Sequence, residues 1–454
     1  MLNTAASLEL THEALNRNIL RLAVPAVLEN MLTTVVFVVN SLLIGWLRDP
    51  VALAAVGMGG QFAWVIDSLF AAIAVSAAAI VARYWGRRDY AHAQQAAGQA
   101  IVLALLFAGG VIALVMVGAD AAMALMGLEP EVARQGALYL RLTLSTAFLA
   151  FPLTVINGML RAAGDTRTPM AITGAMNAFN VALAYGLIFG PGPLPALGVV
   201  GAGLATALAR ALGGGLAFWV AFSGRSAIQL SSSNVWPLRR DLLGPLFRLS
   251  GPAAAEAAVL RGGSLLFQRI IAALGTTALA AHQIALNVES LSYMPGWGVS
   301  VAISTLVGQS LGAGQLGLAE TSTRRGLKLG LALMSGVGLV FALFGRPIAS
   351  IFGSTPAVLD QAGMAIRIAA LEQPALAAQF VLSGSLRGAG DTRSPFYVSL
   401  VSVFLFRVPL VYFLAITLNL GLAGIWLGTA LDWAAKALTS FWLYRRGAWK
   451  RVVL

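Results

Sequence analysis

GMLRAAGDTRTP occupies residues 158–169, and GSLRGAGDTRSP occupies residues 384–395. One polar phrase is written twice, 384 − 158 = 226 residues apart, in a chain that is otherwise strongly apolar. Working outward, the repeat extends well past the phrase. RLAVPAVLEN (21–30) matches RLSGPAAAEA (248–257), and ALAAVG (52–57) matches ALAAHQ (278–283). LGVVGAGLATAL (197–208) matches LGLAGIWLGTAL (420–431). Self-similarity at a fixed long period is the signature of a duplicated architecture. The sequence therefore divides into an N-terminal half (1–222), a polar linker (223–243) and a C-terminal half (244–454).

Composition sets the solvent. Of 454 residues, 58% are hydrophobic and only 11% are charged, and the mean hydropathy is +0.82. A soluble domain carries about 25% charged residues, so a water-soluble fold lacks the polar surface to cover such a core. A helix needs about 20 apolar residues to cross a bilayer. Twelve such runs can be read: 19–46, 54–81, 96–118, 136–160, 170–190, 197–222, 246–274, 279–307, 328–350, 362–385, 397–418 and 422–443. Six spans per half is an even number, so both halves face the same way, as in parallel-repeat transporters.

The net charge of +12 has a topological reading. With both termini and every second loop on the cytoplasmic side, about two-thirds of the Lys and Arg fall there, as the positive-inside rule requires. No nucleic-acid partner is needed to explain the charge. There is no Cys, which removes disulfides and thiol chemistry. The first twenty residues are polar and carry Glu9 and Glu13, unlike a cleavable signal.

Within each phrase, Gly164 and Gly390 suit a left-handed helix end. Asp165 and Asp391 suit an N-cap before helices that start near Pro169 and Pro395. GAGD (388–391) also fits the GxGD of intramembrane aspartyl proteases. The first copy reads AAGD, however, and no HExxH or GxSxG motif accompanies it. An enzyme is not expected.

The paired LRxAGDTRxP hairpins, the RLxxPxxxE openings and AISTLVGQSLGAGQ (302–315) resemble the MATE (multidrug and toxic compound extrusion) family, with bacterial DinF-like members the nearest likeness. The resemblance covers essentially the whole chain. It implies an all-α membrane protein of twelve helices, in two pseudo-symmetric six-helix lobes arranged as a V. It also implies export of a cationic or amphipathic small molecule in exchange for protons or sodium ions, with no other cofactor. ARYWGRRDY (82–90) offers a weaker likeness to the major facilitator class, but the second half has no counterpart of it.

DinF-like members carry an Asp in span 1 and another in span 5. Asn40 and Ala184 stand at those positions here. Asn157, Asn177, Asn180 and Thr206 remain nearby as a polar cluster. It can bind substrate or offer carbonyl oxygens to sodium, but it cannot carry a proton. Ionisable groups inside hydrocarbon cost about 2.5–3.5 kcal/mol each on insertion scales and are default functional candidates. Glu29 lies eleven residues before Asn40, on the same helix face and about 16 Å nearer the cytoplasm. Its repeat partner Glu256 fits a proton carrier in an apolar wall. His282 and Glu289, seven residues apart on one face, form a second candidate pair, with His282 expected near the outer surface and MPGWG (294–298) expected to break the helix.

Arg261 and Arg407 lie mid-span and each requires a carboxylate or water. Arg261 is expected to pair with Glu289, Glu372 or Asp67, either as a fixed pair or as a lock exchanged during transport. Met31, Phe37, Phe62, Trp64, Met294 and Trp297 are candidate cavity walls, with Gln61, Gln283 and Asn287 as added polar contacts. The reading that results is an ion-coupled antiporter of the bacterial inner membrane with cytoplasmic termini, acting on a small molecule as a monomer. The alternatives are a flippase or exporter of lipid-linked or polysaccharide material, or a major-facilitator-type transporter.

Overall fold

Each copy of the repeated phrase closes one helix and opens the next. In the computed structural model, which describes residues 8–190, 195–224 and 226–452 apart from the side chains at 232 and 265, Gly164 has φ +98° and Gly390 has φ +85°. A left-handed residue here turns the chain out of the helix, a conformation that glycine adopts without strain. The following amides then turn back. Asp165 N–H donates to the Leu160 carbonyl at 2.9 Å, and Asp391 N–H donates to that of Leu386 at 2.8 Å. Asp165 accepts from the amides of Arg167 and Thr168, and Asp391 from the amide of Ser394. The two aspartates cap the next helix from just before its first turn.

The first half forms α1 (Leu15–Gly45), α2 (Pro50–Gly86), α3 (Tyr90–Ala124), α4 (Pro130–Leu144), α5 (Ala147–Ala162), α6 (Arg167–Phe189) and α7 (Gly198–Phe222). A one-turn helix α8 (Ser232–Val235) lies in the linker. The second half forms α9 (Arg240–Ala272), α10 (Thr276–Gly312), α11 (Leu316–Ser350), α12 (Pro356–Gly388), α13 (Arg393–Val401), α14 (Val408–Tyr412) and α15 (Gly421–Arg446). α4 and α5 meet at 58° and pass as one broken span. α13 and α14 are joined and extended by π-helical turns at Ser402–Arg407 and Phe413–Thr417, so 393–417 reads as one span. Counted this way, twelve spans appear in the expected order among the described residues, and the protein is an all-helical, multi-pass membrane protein. α9, α10 and α15 are long enough to cross but do not meet the combined measure of length and apolarity that the other nine spans meet. Residues 1–7, on which part of the signal-peptide argument rests, lie outside the described residues.

Contacts divide the chain into two units. One contains Leu28–Val81 and Asp89–Phe247; the other contains Leu8–Val27, Ala82–Arg88 and Arg248–Leu454. The division departs from the repeat boundaries at 222 and 244. The start of α1 and the end of α2 pack with the second half of the sequence, and the linker packs with the first.

In the first unit, Phe70 on α2 stacks on Phe151 on α5 with centroids 3.4 Å apart. Buried Gln99 on α3 clamps the linker. Its amide nitrogen donates to the carbonyls of Asn234, Val235 and Pro237, each at 3.3 Å. Its oxygen accepts from the Arg239 amide at 3.0 Å. The Arg239 guanidinium beside Asp241 holds that carboxyl below the usual carboxylate range.

In the second unit, the start of α1 joins α10, α11, α12 and Trp449 in one apolar cluster. The end of α2 presses backbone to backbone on α10. A Cβ on Gly86 would meet the Gln309 carbonyl oxygen at 1.9 Å, and one on Gly312 would meet that of Arg83 at 2.1 Å. Buried Arg83 donates to the carbonyls of Ala389 and Val452.

Candidate functional site

Helices place the ionisable groups inside each unit, so the question is which are neutralised by fixed partners. In the first unit, Glu29 on α1 meets Nη1 of Arg161 at the end of α5, at 3.0 and 2.9 Å. Thr173 on α6 adds a hydroxyl at 3.2 Å. The second unit repeats the device. Arg387, at the end of α12, donates to Glu256 on α9 at 2.8 Å, and Ser399 on α13 adds a hydroxyl at 3.1 Å. The apolar wall expected around Glu256 is interrupted by Arg387 and Ser399, as the surroundings of Glu29 are by Arg161 and Thr173. Each glutamate is an ion-paired carboxylate that ties the first helix of its unit to the repeated hairpin.

Mid-span in the first unit, Asp67 on α2 and Arg210 on α7 form a two-point pair at 3.2 and 2.7 Å. Asp67 is thus committed to Arg210 and not to Arg261, which is half-buried on α9. Asn40 donates to Asn180 at 2.8 Å, as their placement on facing helices allows. Asn157 on α5 and Asn177 on α6 are also buried. Oδ1 of Asn40, Oδ1 of Asn157 and Nδ2 of Asn177 are buried without a hydrogen-bond partner among the described residues. Thr206 turns its hydroxyl back to the Ala202 carbonyl. Ala184 is buried in an apolar cluster.

The second unit holds a different set. Glu372 on α12 and Glu289 on α10 are fully buried on two helices that pack together, and Tyr293, one turn after Glu289, sets its ring against Phe380 of α12 and Trp433 of α15. Both oxygens of Glu372 and Oε1 of Glu289 are buried with no donor among the described residues. Two carboxyl groups within reach of each other can hydrogen-bond only if one carries a proton. Next to them, Asp432 on α15 has more partners than one charge needs. Arg407 Nε lies 2.8 Å away and Lys436 Nζ 3.0 Å away, and the Ser402 hydroxyl also donates to it. The Arg407 guanidinium lies over the rings of Phe267 at 5.8 Å and Trp433 at 5.4 Å. Three acids and two bases leave this cluster with a formal charge of −1 when every group is ionised.

His282 needs a correction. It is 5% exposed, packed between Phe267 and Trp426 with centroids 5.7 and 5.5 Å away. It is part of an aromatic core and not of the outer surface. MPGWG does not break α10, which continues through Pro295 to Gly312. Its glycines serve packing instead: a Cβ on Gly296 would meet Met334 Sδ at 2.6 Å, and one on Gly298 would meet Val27 at 2.3 Å.

Of the expected cavity walls, Met31, Phe37, Trp64 and Trp297 are exposed, whereas Met294 is buried. Gln61 is exposed, and Gln283 and Asn287 bond each other along an exposed face of α10. A dent of about 510 Å³ in the first unit, lined by Leu47, Asp49, Arg134 and Leu197 among others, contains none of these residues. Asp432 and Lys436, four apart on one helix face, are the partners that the sequence reading left without a role.

The MatE family model matches residues 25–186 and again 252–413, once within each half of the sequence. The chain belongs to the MATE family. This MATE protein is 33% identical over 444 residues to the probable multidrug resistance protein NorM of Thermotoga maritima, a match that covers 97% of this chain and 94% of the relative. It is 30% identical to the multidrug resistance protein NorM of Burkholderia vietnamiensis, over 93% of this chain and 92% of the relative. Among solved structures, an outward-facing multidrug resistance MATE family transporter of the MOP superfamily superposes with a TM-score of 0.89. That match is at 22% identity and covers 97% of both chains. At that identity the likeness establishes the MATE fold.

Proposed function

We propose that this MATE protein is a proton-coupled antiporter that exports small amphipathic organic compounds by alternating access across a bacterial inner membrane, with both termini in the cytoplasm. The observation that carries the reading is the Glu289–Glu372 pair. Two buried carboxyls on packed helices, with no cation within ion-pair distance of either among the described residues, suit a site that gains and loses one proton. With one proton the five-charge cluster is neutral, and without it the cluster holds a net −1. An organic cation is then favoured in the deprotonated state and released on protonation. The names of the two NorM relatives support a drug-like substrate range.

The first unit supports the same assignment by contrast. Its mid-span charges, Asp67 and Arg210, cancel. The DinF-like likeness of the hairpins does not extend to coupling through the N-terminal acids of that branch, because Asn40 and Ala184 replace them. The asparagine cluster is then a candidate contact for substrate. The test is efflux of a fluorescent organic cation from proteoliposomes under a proton gradient alone and under a sodium gradient alone. Proton-driven flux is expected. Flux with sodium only would move the coupling site to the carbonyl oxygens around Asn40 and Asn180. Flux with neither would favour a lipid-linked or polysaccharide cargo.

A further inference from the structure

The second unit divides its charges unevenly. Asp432 has two cations and a hydroxyl, while the neighbouring Glu289–Glu372 pair has no cation within ion-pair distance among the described residues. Lys436 and Ser402 alone can satisfy Asp432, so Arg407 is the surplus partner. Its head group rests on the faces of Phe267 and Trp433, contacts that hold a cation without fixing its direction. Tyr293, one turn after Glu289 on α10, packs its ring 6.4 Å from that of Trp433, so the same aromatic wall borders Arg407 and the carboxyl pair.

The backbone around Arg407 is also distinctive. One π-helical segment, Ser402–Arg407, ends on this residue, and a second, Phe413–Thr417, follows one helical turn later. Such segments loosen the regular ladder of main-chain bonds and occur often at functional sites. The equivalent stretch of the first half, within α6, is an unbroken α-helix from Arg167 to Phe189. At the repeat offset of 226, the position of Arg407 corresponds to Val181 there. Both the charge and the irregular backbone belong to the second half alone.

We infer that Arg407 is a positioning residue that serves as an internal counterion: it rests on Asp432 while the Glu289–Glu372 pair holds its proton, and it swings to Glu372 when that proton leaves. The carboxyl O–H bond breaks as the proton passes to water in the transport pathway, no other bond changes, and Lys436 stays on Asp432. Arg407 thereby stabilises the deprotonated pair and favours proton release. The groups that face the pair are Tyr293 on its own helix, Arg407 on the π-helical segment, and Asp432 and Lys436 on α15. Glu256, which influences Lys436 from α9, is already paired with Arg387. This role rests on the coupling assignment above.

The experiment is proton release on adding a fluorescent organic cation to the purified full-length protein, followed across pH with an indicator dye. Arg407→Gln is expected to hold the proton at least tenfold more tightly, moving the midpoint of release up by about one pH unit. Arg407→Lys keeps the charge but has a compact head without the planar fork. It is expected to fold and to show a smaller upward shift. A midpoint unchanged in Arg407→Lys, and unchanged in Arg407→Gln if that variant folds, would overturn the role and leave Arg407 a static partner of Asp432. Glu372→Gln separates this inference from the coupling assignment. Loss of proton release in that variant supports the carboxyl pair whatever Arg407 does, and unaltered release would remove both.

Discussion

Arg161 holds Glu29 through a single nitrogen, Nη1, at 3.0 and 2.9 Å from the two carboxylate oxygens. The pair joins α1 to the end of α5 just where the repeated hairpin begins, and Glu256 with Arg387 does the same for α9 and α12. Both side chains of the first pair are largely buried, at 16% and 11% exposure. Removing one member of a buried pair strands the other and costs about 3–5 kcal/mol. Arg161→Ala is therefore expected to lower the thermal midpoint of the detergent-solubilised protein sharply. The protons exchanged per substrate should stay the same in whatever fraction remains folded. A changed stoichiometry would return Glu29 to the coupling path.

Asp67 and Arg210 make a closed pair at mid-span, 2.7 Å at its shortest contact. A pair of this kind contributes less than its geometry suggests, because both charges lost their hydration. Arg210→Met alone should destabilise the protein by about 2–4 kcal/mol, since it leaves Asp67 uncompensated. The double variant Asp67→Leu with Arg210→Met should recover most of that loss. Thermal melts of the four proteins in one double-mutant cycle measure the coupling. Additive losses would show that the two side chains do not depend on each other.

Glycines along the helices separate into two kinds. Gly86 and Gly312 sit where a Cβ would run into a carbonyl oxygen at 1.9 and 2.1 Å, whereas a Cβ on Gly57 or Gly60 would meet nothing within 4 Å. Backbone contacts cannot move aside as a side-chain tip can. Gly86→Ala should lose folded protein by size-exclusion fluorescence. Gly60→Ala should be neutral, or stabilising by up to about 1 kcal/mol, because alanine favours the helix.

Much of the fold was legible because its signals are local. Gly164 with Asp165 and Gly390 with Asp391 are turn and cap residues at fixed offsets, and they act as their chemistry dictates. The repeat located both halves, and apolar run length gave the spans. The site was less legible because its contacts cross between helices. Nothing within VSVFLFRVPLVYF shows that Arg407 reaches Asp432 twenty-five residues later, and the π-helical register that aims it has no period to detect. Glu256 looked isolated because its partner Arg387 lies 131 residues away. His282 looked like a surface group because helix-face arithmetic does not report that Phe267 and Trp426 close over it. The Asn40–Asn180 contact was nearer to hand, since the family resemblance already set Asn180 near the Asn40 position.

The most direct measurement compares two kinds of flux in proteoliposomes containing Glu372→Gln. One is exchange of labelled for unlabelled organic cation with no gradient; the other is accumulation of that cation against its gradient, driven by an imposed proton gradient. If the Glu289–Glu372 pair couples protons to transport, the variant keeps exchange and loses proton-driven accumulation. If Glu372→Gln accumulates the cation as the unaltered protein does, the pair is not the coupling site.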